Sequence, residues 1–205
     1  MMSNLERRLI DITYQERLSH LSSTLSALPI IEEIYTKRKD DEVFILSNGH
    51  AGLALYVVLE KYYGVDPVEM LHKHGIHPGR DLKNHLYCST GSLGSGLLIA
   101  VGHALATPNK NVYCMISDGE AAEGSIWEAL RYISDNKIDN LHVYANLNGM
   151  SAYDMVDTIT LSHRLVAFLP RINIRFSNPP VWPFARELLT HYYVLKESDY
   201  KAITQ

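Results

Sequence analysis

The residues able to do chemistry gather at a few points along the 205-residue chain. Ser117-Asp118-Gly119 closes the apolar run Asn111 to Ile116 and opens a segment, Glu120 to Ile133, that reads as a helix with an acidic first turn. A strand delivering Asp-Gly to the start of a helix sets a cation-holding carboxylate beside unpaired N–H groups that attract phosphate. Thirty residues on, Asn148 ends a second apolar run, Leu141 to Ala145, and the carbonyl of Met150 lies just past it. Asp118, Asn148 and that carbonyl, with two diphosphate oxygens and a water, would complete the octahedron that Mg²⁺ requires. Asp-Gly and Asn-Gly are also ordinary turn dipeptides, and taken alone each pair reads first as a turn.

These residues need a scaffold, and the strand, helix, strand order between Asn111 and Ala145 is that of a parallel crossover unit. Its ligands sit beyond the carboxyl ends of the strands, where Asp118 and Asn148 both fall. Upstream, Leu5 to Tyr14, Leu25 to Tyr35 and Ala51 to Tyr63 carry apolar residues at helical spacing, the last ended by Gly64. Val43 to Leu46 reads as a short buried strand or turn. Residues 65 to 92, rich in His, Pro and Gly, read as a long irregular segment, and Gly91 to Ala106 as a Gly-rich turn entering a helix of small residues. Ile172 to Phe176 reads as a further strand, Asn178 to Pro183 as a loop and Phe184 to Tyr193 as a terminal helix. The expected fold is α/β, a mostly parallel central sheet flanked by helices, with residues 1–205 as a single domain.

Composition excludes several function classes. With 19 basic and 23 acidic residues and no long charge run, the chain has no electrostatic footprint for nucleic acid or an anionic membrane. The first residues, MMSNLERRLIDITY, place charges where a signal peptide needs an apolar stretch. No segment approaches the roughly 20 apolar residues of a membrane span, so a cytoplasmic protein is expected. Cys88 and Cys114 read as two reduced packing residues.

The spacing from Ser117-Asp118-Gly119 to Asn148-Gly149 resembles the thiamine-diphosphate motif, Gly-Asp-Gly followed some thirty residues later by Asn. Further segments are similar to transketolase in the right order: Ser47-Asn48-Gly49-His50, Thr90-Gly91-Ser92-Leu93-Gly94-Ser95-Gly96, and Glu123-Gly124 followed by Glu128. His20 with Ser26-Ala27-Leu28 matches more loosely, with Ser22 and Ser23 where the family has glycines. The resemblance covers roughly residues 5 to 155 and implies roles position by position. Asp118, Asn148 and the Met150 carbonyl would hold Mg²⁺. His50 and the backbone at Ser117 and Gly119 would hold the diphosphate, with Gly91, Ser92 and Leu93 along the cofactor. His20 and His77 would face substrate, where imidazoles exchange protons near neutral pH, against the plainer reading as surface or capping residues. Glu123 and Glu128 would lie at the interface near the cofactor.

Three departures matter. Ser117 replaces the first glycine of the triplet, Tyr87 stands where an acidic residue is common, and the chain after Tyr153 does not follow the family. The family also needs a second domain, which binds the aminopyrimidine and supplies an activating glutamate. The resemblance therefore implies the alpha subunit of a split transketolase, paired with a pyrimidine-domain beta subunit, self-associating into a dimer core and moving a ketol unit between sugar phosphates. Condensation of a decarboxylated 2-oxo acid with an aldehyde, as in deoxyxylulose-phosphate synthase, is the close alternative. A non-catalytic cofactor-binding or regulatory subunit is the rival from another class.

Overall fold

The computed structural model describes residues 2–151, 154–177 and 192–204. Four strands, β1 (Val43–Leu46), β2 (Val112–Ser117), β3 (Leu141–Leu147) and β4 (Asn173–Phe176), form one parallel sheet in the order β1-β2-β3-β4. Alternation along the strands splits the core in two, because successive side chains leave opposite faces of a sheet. Phe44, Leu46, Tyr113, Met115 and Tyr144 point to one face. There they meet α1 (Asn4–Gln15), α2 (Leu21–Lys37), α3 (Gly52–Tyr63) and α4 (Pro67–His74). Ile45, Val112, Cys114, Ile116, Val143, Ala145 and Leu147 point to the other face. They pack on α5 (Ser95–Ala106), α6 (Gly124–Asp135) and α7 (Thr158–Phe168). A parallel sheet covered on both faces explains why its strands read as continuous apolar runs.

Local chemistry sets the helix limits. Ser3 and Glu6 form a capping box that starts α1, with Glu6 N donating to Ser3 Oγ at 3.2 Å and Ser3 N to Glu6 Oε2 at 2.7 Å. Asp66 caps α4 and Asp157 caps α7, each accepting two backbone N–H groups. A last helix, α8 (Glu197–Thr204), lies on α1.

The structure corrects the sequence reading in several places. Residues 65 to 92 are not irregular throughout: α4 and a 3₁₀ turn at Leu82–Asn84 occupy part of them. The helix expected from Glu120 to Ile133 is two pieces, a 3₁₀ turn at Glu120–Ala122 and then α6, divided at Glu123, whose backbone is extended (φ −86°, ψ 131°). Helices α7 and α8 have no counterpart in the sequence reading. The loop expected at Asn178 to Pro183 and most of the helix expected from Phe184 to Tyr193 lie outside the described residues. Both cysteines are free thiols, as expected. Among the described residues no helix is long and apolar enough to cross a membrane.

Helix α5 reaches the sheet through Gly96, where an added Cβ would stand 2.6 Å from Ser47 Cα, at the end of β1. Backbone cannot yield as a flexible side chain does, so Gly96→Ala should destabilise the chain by about 1–3 kcal/mol despite the better helix propensity of alanine. A lowered urea midpoint at unchanged m-value is the expected result; an unchanged midpoint would show that α5 does not seat on β1 this way.

Candidate functional site

A cavity of about 310 Å³ opens beyond the carboxyl ends of β2 and β3, at the lower end of the size range typical of ligand pockets. Its lining brings together His20, His50, His77, Gly91, Leu93, Ser117, Asp118, Gly119, Asn148 and Met150. Sequence reasoning had singled out every one of these. Ser92 and Glu123 stand outside the lining. Ser92 is exposed, with its carbonyl accepting from Ser95 Oγ at 2.8 Å, and Glu123 is exposed at the start of α6.

Asp118 ties the two strand ends together. Its Oδ2 accepts from the N–H groups of Asn148 at 2.9 Å and Gly149 at 2.7 Å, and its Oδ1 accepts from Gly119 N at 3.1 Å. Three bonds leave about one of the roughly four lone-pair directions of a carboxylate free. Burial raises its pKa to about 6, against the opposing pull of those N–H groups. Asn148 is oriented in turn: its Oδ1 accepts from Met150 N at 2.9 Å and its Nδ2 donates to Ser26 Oγ at 3.2 Å. Ser26 Oγ also accepts from Asn146 Nδ2 at 3.1 Å, so α2 and β3 are pinned behind the site.

The histidines arrive on separate elements. His20 precedes α2 in a left-handed conformation (φ 67°) and makes no side-chain cap bond there, while its Nδ1 meets Ser19 Oγ at 2.7 Å. His50 lies in the 3₁₀ turn Gly49–Ala51, its ring 5.9 Å from that of His20. His77 packs over Gly91 (φ 143°), where a Cβ would come 3.2 Å from the imidazole, so that turn tolerates no side chain. The same approach brings the Thr90–Gly91 backbone against Gly49.

Six residues escaped sequence reasoning, among them Asn146 and Ser151, which also line the cavity. Asn48 lines the cavity, is 1% exposed, and its Oδ1 has no hydrogen-bond partner among the described residues. Ser23 lines the near side, and Tyr192 the mouth. Glu120, fully buried, lies beneath the cavity: its Oε1 accepts from Ser47 Oγ at 2.6 Å and from Gly94 N at 3.0 Å. Burial lifts its pKa to about 7. Only its place in the acidic run after Gly119 hinted at a role, since the carboxylate's partners lie 73 and 26 residues away.

Residues 30–165 match the transketolase thiamine diphosphate binding domain. The chain belongs to the transketolase family. It is 30% identical over 158 residues to the 6-deoxy-6-sulfo-D-fructose transketolase subunit SqwG of Clostridium sp. (strain MSTE9), covering 65% of this chain and 56% of that protein. It is 31% identical over 155 residues to an apulose-4-phosphate transketolase subunit of Phocaeicola vulgatus, covering 66% and 55%. The chain thus spans about half the length of these curated relatives, and 19% of human transketolase, to which it is 36% identical over 123 residues. In fold it is similar to the transketolase of Campylobacter jejuni, with a TM-score of 0.64 at 24% identity over 80% of this chain and 31% of that one. The segment that matches the family model begins after His20 and ends before Tyr192, so residues on either side of it also line the cavity.

The donor set fits a cation-bound diphosphate. Asp118 is the one carboxylate of the lining among the described residues, it keeps a free lone pair, and the Asn48 oxygen waits unpaired. Without a cation the two buried carboxyls burden the fold at neutral pH. Each holds its proton more tightly folded than unfolded, Asp118 at about 6 against 3.8 and Glu120 at about 7 against 4.5. The stability they lend is complete below the lower values and is lost as pH rises through the upper ones, on the order of 3 kcal/mol each. Glu33 works the other way, because its bond to Arg175 lowers it to about 2 and its contribution fades only in acid. The unliganded chain should therefore melt at a higher temperature near about pH 5.5 than near about pH 7.5. Glu120→Gln, which keeps an oxygen for Ser47 and Gly94, should flatten that slope around neutrality; thermal scans across pH that show no slope in either protein would contradict the burial assigned to both acids.

Proposed function

We propose that this chain is the diphosphate-binding subunit of a two-subunit transketolase-type enzyme. It would hold thiamine diphosphate through Mg²⁺ and, with a pyrimidine-domain subunit, transfer a two-carbon ketol unit between sugar phosphates. The observation that carries this reading is the convergence of Asp118, Asn148 and Met150 with His20, His50 and His77 around one cavity. A protein that only gripped a diphosphate would have use for the first three and at most one imidazole.

In this reading Asp118 Oδ1, Asn148 Oδ1 and the Met150 carbonyl hold the cation, and its charge offsets the desolvation that raises Asp118. The backbone near Ser117 and Gly119 and the imidazole of His50 would hold the diphosphate, with Gly91 and Leu93 lining the cavity along the cofactor. Ser117 stands where the family has glycine; it lines the cavity, and its Oγ accepts from Glu120 N at 3.4 Å. Thiamine diphosphate, when bound, supplies the nucleophilic carbon and the electron sink that carbon-carbon bond exchange next to a carbonyl demands. His20 and His77 also line the cavity, where they would orient substrate hydroxyls and hold or pass a proton.

The pyrimidine-binding domain lies, in this proposal, on a separate chain. Two relatives are named as transketolase subunits. Helix α5 adds a physical argument, since a helix apolar on all sides is normally buried, yet Leu98 (46%), Ile99 (37%) and Leu105 (53%) are exposed along it. That face, next to Ser92 and Glu123, suits the docking of the other subunit or of a second copy in a dimer core.

The chain should bind thiamine diphosphate only with Mg²⁺, and Asp118→Asn should weaken binding by at least about tenfold, the loss of roughly one charged ligand. Calorimetric titration with and without Mg²⁺ measures this. Ketol-transfer and 2-oxo-acid decarboxylation assays on the chain co-purified with its neighbours then separate the leading reaction from the decarboxylating one. Metal-dependent binding with no partner and no turnover would leave the non-catalytic reading.

A further inference from the structure

Tyr192 lies beyond residues 30–165, the segment that matches the family model, yet it lines the same cavity as His20 and His77. Its ring meets that of His20 edge-on, centroids 5.7 Å apart at 80°. With 70% of its surface exposed it stands at the mouth, beside His20.

The tail that carries it is anchored. Leu195 is buried among the residues of the α1–α4 core, and Tyr193 donates from its hydroxyl to Asp199 Oδ2 at 2.6 Å. Helix α8 then clamps onto α1: Tyr200 stacks on Tyr14 at 4.3 Å and 12°, and its hydroxyl donates to Asp11 Oδ1 at 2.8 Å. Arg7 Nη1 donates to the Thr204 carbonyl at 3.1 Å. Because α1 ends at Gln15, five residues before His20, the clamp sets both sides of the mouth from one helix.

We propose that Tyr192 is a specificity-determining residue of this site, the tail-borne wall against which a ketose phosphate lies beside His20. This rests on the reading that the cavity holds thiamine diphosphate and takes a sugar phosphate. A phenol suits that place, because its flat apolar face packs on the carbon chain of a sugar while its hydroxyl can bond a substrate hydroxyl at the wet end. Since the wall is built by sequence outside the shared cofactor grip, the choice of substrate can differ from that of relatives with the same grip.

The test uses the chain purified with its native partners and loaded with Mg²⁺ and thiamine diphosphate. Acylation of His20 by diethyl pyrocarbonate is followed by mass spectrometry, in the presence of five-, six- and seven-carbon ketose phosphates. In the wild type a ketose phosphate should protect His20. Tyr192→Ala should raise the protecting concentration by about tenfold, the value of one good contact, and speed acylation without sugar several-fold. Tyr192→Phe should restore the slow acylation, and Tyr200→Ala, which loosens α8 from α1, should repeat the Tyr192→Ala phenotype. Cofactor affinity should stay unchanged in all three. If the wild type binds Mg²⁺–thiamine diphosphate and is protected while Tyr192→Ala behaves identically, or if no ketose phosphate protects, Tyr192 is not the wall. If the wild type binds no cofactor, the functional reading itself falls, and the inference with it.

Discussion

A carboxyl group with no exposed surface holds this site together. Glu120 gathers a hydroxyl from Ser47, at the end of β1, and an amide from Gly94, in the turn that launches α5, onto a single oxygen. Its own N–H returns to Ser117 at the end of β2. Three segments that face the cavity, 47–50, 91–94 and 117–119, are thereby fixed to one another by one side chain. Burying a carboxyl in an apolar core is costly unless its lone pairs are used. Burial pushes its pKa up to about 7 against the pull of those hydrogen bonds, and Oε2 finds no partner among the described residues. The constraint is rigid because removing any partner strands another buried polar group.

Asp118 does the equivalent work between β2 and β3, but at the surface of the cavity. It commits three lone-pair directions to the backbone of 119, 148 and 149 and keeps one for a ligand. Two buried carboxyls, two residues apart, leave the floor of the site short of positive charge. In the proposed reading a divalent cation held by Asp118 would supply that charge, and its binding would add to folding free energy as metal and cofactor binding generally does.

The three-layer fold explains why the site is open on one side. α1 to α4 cover one face of the sheet and α5 to α7 the other, and only the carboxyl edge is left for ligands. Along that edge the cavity gathers Asp118, Asn148, the Met150 segment and three imidazoles, the groups that the proposed function assigns to a cation, a diphosphate and a substrate. The exposed leucines of α5 lie where further protein would cover both cofactor and helix.

Much of this was legible in the sequence because it depends on neighbours along the chain. Continuous apolar runs marked β2 and β3, Asp118 and Asn148 were set at the strand ends by spacing alone, and the Gly91–Leu93 turn announced itself through its glycines. What escaped was decided at a distance. At the break, Gly94 lies so close that a Cβ added to it would stand 2.8 Å from Glu123 Cβ, and Ser125 Oγ donates to the Gly94 carbonyl at 3.0 Å, contacts about 30 residues apart that helical periodicity cannot register. Glu120 looked like one more acid of a helix's first turn, and nothing local told it from Glu123 until Ser47 and Gly94 closed around it. Tyr192 came to the cavity through the docking of α8 on α1, an association between chain ends encoded by no motif. The sequence by itself determined which chemical groups the protein carries and that two of them meet at the strand ends. Tertiary structure alone decided which acids are buried, which histidine has a wall beside it and which helix face is left uncovered, because burial and apposition are properties of the packed chain.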